Sequence, residues 1–134
     1  MSTQPQGTQA LRQAMETGRW IWPIFVVVQI ANLFDWMTTI VGIGLLGLPE
    51  KSATVRLMIR QWGILNGVTV SKLMVAMAAA GIAWMAVWLS GLRTYKAQMS
   101  GLTWLLVAMG VLLSLTVVSN VLVIVSFVTG AVRP

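Results

Sequence analysis

The chain has 134 residues, 57% of them hydrophobic and only 9% charged, with a mean hydropathy of +0.84 and a formal net charge of +6. Such a composition belongs to an all-α integral membrane protein with a single membrane domain and no segment able to fold in water. Cysteine and histidine are both absent and there are only three acids, which excludes disulfides, thiolate or imidazole catalysis and the usual metal sites; no metal and no cofactor is expected.

Residues 1–19 form a polar tail without the features of a cleaved secretory signal, so the first apolar run is expected to stay in the mature protein. A membrane-spanning helix needs about 20 mostly apolar residues. Three stretches qualify, at 20–48, 62–92 and 102–128.

The first span opens on Trp20 and Trp22, whose amphipathic rings suit the headgroup level. On a helix of 3.6 residues per turn, Gln29, Asn32, Asp35 and Thr39 fall on one face with Gly42. Ile30, Leu33, Phe34, Met37 and Val41 cover the opposite face. Lipid offers no hydrogen bonds, so the polar stripe must meet other helices, a second copy of the chain or a water-filled cavity. A carboxylate at that depth is costly, and Asp35 must carry a proton or find a cation.

Residues 49–61 read as a short amphipathic connector lying along either membrane face. The second span opens on Trp62, and a hairpin between the spans sets Lys72 near the level of Asp35. Lys72 shares a narrow face with Ala76, Ala79 and Ala83, a spacing of small residues that lets helix backbones approach. Three outcomes stay open for the acid: an ion pair with Lys72, a protonated or self-associating Asp35, or an aspartate facing water. Were the second span to begin nearer Val68, Lys72 would instead snorkel to the headgroups.

Trp88 and Tyr95 flank a short turn at 93–101, and Trp104 opens the third span. Gly110 and Ser114 are spaced as a packing notch, while Ser119 and Asn120 are placed to bond across the bundle. Trp36 and Trp84 lie deeper and read as packing or lipid-facing bulk. Residues 129–134 are a C-terminal stub. The basic residues are scattered over the helix ends, which points to headgroup anchoring and not to nucleic acid. Their count is balanced between the two faces. The short tail favours a cytoplasmic N-terminus, in a bacterial inner membrane.

The run Asn32, Asp35, Thr39, then Glu50, then Lys72 resembles a family of small bacterial and archaeal membrane proteins defined only as a domain of unknown function. In that family an N-x-x-D-x-x-x-T helix leads through an E-x-N-P turn to a second helix with an intramembrane lysine. The resemblance spans residues 29 to about 85; after Glu50 this chain has Lys51-Ser52-Ala53 in place of the Asn-Pro pair. It implies that the five residues act as one set and supplies no activity.

Three function classes follow. The first is an accessory or scaffolding subunit of a larger membrane complex, or a homo-oligomer, with the first span's polar stripe held against the second span. The second is a small oligomeric ion- or proton-linked transporter or channel using Asp35. An intramembrane enzyme comes last, because Asp35 has no second carboxylate, histidine or cysteine to share the chemistry. The expected partners are the lipid bilayer and other membrane subunits or copies of the chain.

Overall fold

A computed structural model describes residues 18–90 and 96–130, with side chains described outside 96–99. Residues 1–17 of the polar tail, the turn residues Arg93 and Tyr95, and Arg133 lie outside the described residues. The fold is a bundle of three helices, with no strand among the described residues: α1 (Ile21–Thr39, continued by a π-helical segment Ile40–Leu45), α2 (Ala53–Ser90) and α3 (Lys96–Val128). Each contains a window long and apolar enough to cross a membrane, so the chain is an integral membrane protein.

Pro23 sits in the first turn of α1, where its missing N–H would have had no helical partner. The other end is rich in glycine. There the helix widens, with the Leu46 N–H donating to the Val41 carbonyl at 3.2 Å and the Leu48 N–H to that of Gly42 at 2.9 Å. Gly47, at φ 65°, takes the left-handed conformation that ends the helix.

The connector is helical, and it packs back onto the second span. Residues 53–62 form a short helix of their own, the first limb of α2, separated from the long limb at 64–90 by Gly63 at φ 80° and ψ 169°. The limb folds back sharply enough that a Cβ on Gly67 would stand 2.6 Å from the backbone of Met58 and Ile59. Its start is capped: the Val55 N–H donates to Ser52 Oγ at 3.4 Å, and the Ser52 N–H to the Glu50 carboxylate at 2.7 Å. Helix α3 likewise begins at Lys96, within the stretch read as a turn, because nothing before Gly101 interrupts the helix outside its apolar window.

Helices α1 and α2 are antiparallel, with Gly18 beside Ser90 and Gly44 beside Ile64; α1 and α3 are parallel, with Val28 against Gly110. Ile21, Val28, Ala79, Ala83, Ala86 and Leu106 form the core, all at 1% exposure or less. A Cβ on Gly110 would meet Val28 at 3.3 Å, so the glycine is a contact point between helices. Ala79 and Ala83 serve α2 in the same way, and Ala76 is half-buried.

Ser114 corrects the expected notch. Its residue is exposed and its hydroxyl donates to the Gly110 carbonyl at 2.8 Å, because the inward face of α3 passes through Leu113 and Val117. Trp20, Trp22, Trp62, Trp88 and Trp104 are all about half-exposed or more, as anchors near helix ends would be.

Candidate functional site

The polar stripe of α1 turns inward. Asn32, Asp35 and Thr39 are 6%, 2% and 8% exposed, and Gly42 is buried on the same face. Lys72, eight residues into the long limb of α2 and about 12 Å along its axis, reaches Asp35 and pairs with Oδ2. Its ammonium is therefore committed to Asp35 and does not snorkel outward.

Further bonds tie all three helices to this pair. Asn32 Nδ2 donates to the Lys72 carbonyl at 3.0 Å, joining α1 to α2. From α3, Asn120 Nδ2 donates to Asp35 Oδ1 at 3.1 Å and approaches Thr38 Oγ1 at 3.3 Å. The Thr39 hydroxyl donates to the Asp35 carbonyl at 2.6 Å and stands 3.4 Å from Oδ1. Each carboxylate oxygen thus has a donor from another helix, the condition under which a buried charge is tolerated.

Two atoms of the stripe remain unserved. Gln29 Nε2 and Asn32 Oδ1 are buried without a hydrogen-bond partner among the described residues. Lys72 has three N–H donors and one acceptor, Asp35, among the described residues.

The pair forms the floor of a cleft of about 780 Å³. Asp35, Thr38, Thr39, Gly42 and Ile43 of α1 form its back, and Ser71, Lys72, Met74 and Val75 one wall. Leu112, Leu115, Thr116, Ser119, Asn120, Val123 and Ile124 of α3 form the other. Met74, Leu112 and Leu115 are exposed, so the cleft opens sideways between α2 and α3. Residues 48–52 and the folded-back limb, through Thr54, Val55 and Met58, line its polar mouth.

Of the residues singled out from sequence, Asn32, Asp35, Thr39 and Lys72 come together. Glu50 stands apart at the mouth, capping the limb. Trp36, read from sequence as packing or lipid-facing bulk, is half-buried and also donates its indole N–H to Thr69 Oγ1 at 3.0 Å, a second tie between α1 and α2. Asn120 bonds across the bundle to α1 as expected, whereas its neighbour Ser119 is exposed along the cleft and makes no such bond to the described residues. Position 120 continues the buried positions 103, 106 and 110 of α3 at helical spacing, a signal present in the sequence.

Comparison with protein-family models, with curated proteins and with solved structures gives no match to the chain. The geometry alone therefore carries the functional reading.

Asn120→Leu tests the third leg. Loss of the amide leaves Asp35 Oδ1 without its donor from α3, and a hydrogen bond to a charged group contributes about 1.5 to 3 kcal/mol. A lower unfolding temperature is expected in nanodiscs, with α3 loosened from α1. An unchanged transition would show that the clamp rests on Lys72 alone.

Proposed function

We propose that the chain is a small solute-binding membrane protein of the transport class, with the cleft above Asp35 and Lys72 as its working site. One observation carries this reading: the charged pair lines open space between the helices, and the Lys72 side chain is 17% exposed. A pair that only fastened helices would be expected behind closed packing, because hydrocarbon gives nothing back to an exposed ammonium. The volume of about 780 Å³ lies in the range of small-ligand sites. The polar mouth at Glu50, Lys51 and Ser52 offers a route from the membrane surface. Gly42 and Ile43 belong to the π-helical segment, a distortion frequent at functional positions.

Three helices enclose little, so passage through the membrane would need several copies or a partner. A bacterial inner membrane, with the N-terminus in the cytoplasm, is the setting this reading assumes. One observation favours the accessory-subunit reading beside it. None of the most apolar window of α3 is buried within the chain, leaving a long face for another helix.

Reconstituted vesicles distinguish the two. Transport predicts a flux of protons, potassium or a small anion above that of empty vesicles, reduced at least tenfold by Asp35→Asn. Background flux for every solute would remove it. The subunit reading instead expects gently extracted protein to migrate in a particle of fixed size above the 14.6 kDa of one chain.

A further inference from the structure

We infer that the cleft takes an amphiphilic monoanion onto the Lys72 ammonium, and that one proton enters with the anion and settles on Asp35. The inference rests on the cleft being the working site and names what it accepts.

The charges facing the cleft decide the sign of the ligand. Helix α1 contributes Asp35, α2 contributes Lys72, and the segment before α2 contributes Glu50 and Lys51; α3 brings only uncharged Thr116, Ser119 and Asn120. Asp35 is the enclosed partner, its side chain 3% exposed and both oxygens already engaged. A cation would have to displace Lys72 to reach it. Lys72 is the more open partner and keeps unused N–H donors, so an anion can approach without first breaking a bond. Ser119, whose hydroxyl bonds none of the described residues, stands on the opposite wall as a further donor. The body of the ligand must be apolar, since Met74, Val75, Leu112, Leu115, Val123 and Ile124 are six of the eleven wall residues.

Charge balance then requires the proton. An anion arriving alone would leave two negative groups sharing one ammonium in a poorly polarisable site. With a proton from the water at the mouth, the exchange is neutral throughout. The anion, the proton and the Lys72–Asp35 pair give a Lys72–anion pair and a neutral Asp35 carboxylic acid.

The protein holds a place for the new O–H. Asn32 Oδ1 is a buried acceptor with no donor among the described residues, three residues before Asp35 on the same face of α1. Asp35 Oδ2, released by Lys72, becomes the donor that this oxygen lacks, while Oδ1 goes on accepting from Asn120. The unserved atom in the paired state is served in the ligand-bound one.

The probe is hexanesulfonate, which stays anionic at every working pH, so any proton taken up must reside on the protein. Calorimetric titration of the protein in nanodiscs, corrected with empty nanodiscs, is run in two buffers of different protonation enthalpy. Binding with close to one proton per anion is expected, with affinity rising up to tenfold for each unit of falling pH. Lys72→Met should abolish binding, and Asp35→Asn should keep binding without proton uptake. The wild-type proton count stands even if either variant fails to fold. Hexanesulfonate binding without proton uptake overturns the inference. Binding of hexyltrimethylammonium or hexanol in its place also overturns it, yet leaves the cleft as a solute site. Binding of none of the three, with background flux in vesicles, overturns both.

Discussion

Lys72→Met is expected to lower the stability of the protein in nanodiscs by about 3 to 5 kcal/mol, the usual cost of leaving one member of a buried ion pair alone. The orphan would be Asp35, 2% exposed, with only the Asn120 amide and the Thr39 hydroxyl nearby. Asp35→Asn should cost less, because the ammonium it abandons is 17% exposed and the cleft lets water reach it. The double variant should recover most of the loss, since two neutral groups of similar volume fill the space without an unpaired charge. Thermal unfolding of all four proteins gives the coupling directly. Costs that simply add in the double variant would mean that the two side chains do not sense each other, and the clamp would lose its central bond.

The legible and illegible parts of this molecule divide along physical lines. The inward face of α1 could be read from sequence because hydrocarbon permits one arrangement of Gln29, Asn32, Asp35 and Thr39: together, and away from lipid. Lys72 was legible as a partner because a hairpin of two spans fixes relative depth. The α3 leg was harder, since the hydroxyls and amides of that helix are spread around its circumference and only packing against α1 singles out Asn120. The tie from Trp36 to Thr69 was hidden because an indole suits lipid as well as a hydrogen bond. The cleft is a volume left between helices, and no periodicity within one helix encodes it. The same holds for Gly63 and Gly67. In sequence they are two glycines at the head of an apolar run, and only tertiary contact shows the chain turning at Gly63 and laying the limb against Gly67.

Gly67→Ala is the second variant expected to have a large effect, through the backbone of the folded-back limb. The new methyl would stand 2.6 Å from Ile59 N and Met58 C, and backbone atoms cannot swing aside as a flexible side chain would. Overpacking of this kind costs about 1 to 3 kcal/mol, against roughly 1 kcal/mol gained from replacing glycine inside a helix. The limb should therefore move while the bundle survives. Gly81→Ala is the matched control, because a Cβ there meets nothing within 4 Å and only the helix gain remains. The chain has no cysteine of its own, so spin labels at Arg56→Cys and Val118→Cys, both exposed, report the distance from the limb to α3. A narrow distribution is expected for the parent and for Gly81→Ala, and a broader, longer one for Gly67→Ala. Because Thr54, Val55 and Met58 line the cleft, the same displacement should weaken hexanesulfonate binding several-fold while Asp35 and Lys72 stay paired. Unchanged distances with weakened binding would separate the two effects and show that Gly67 acts on the cleft without holding the limb.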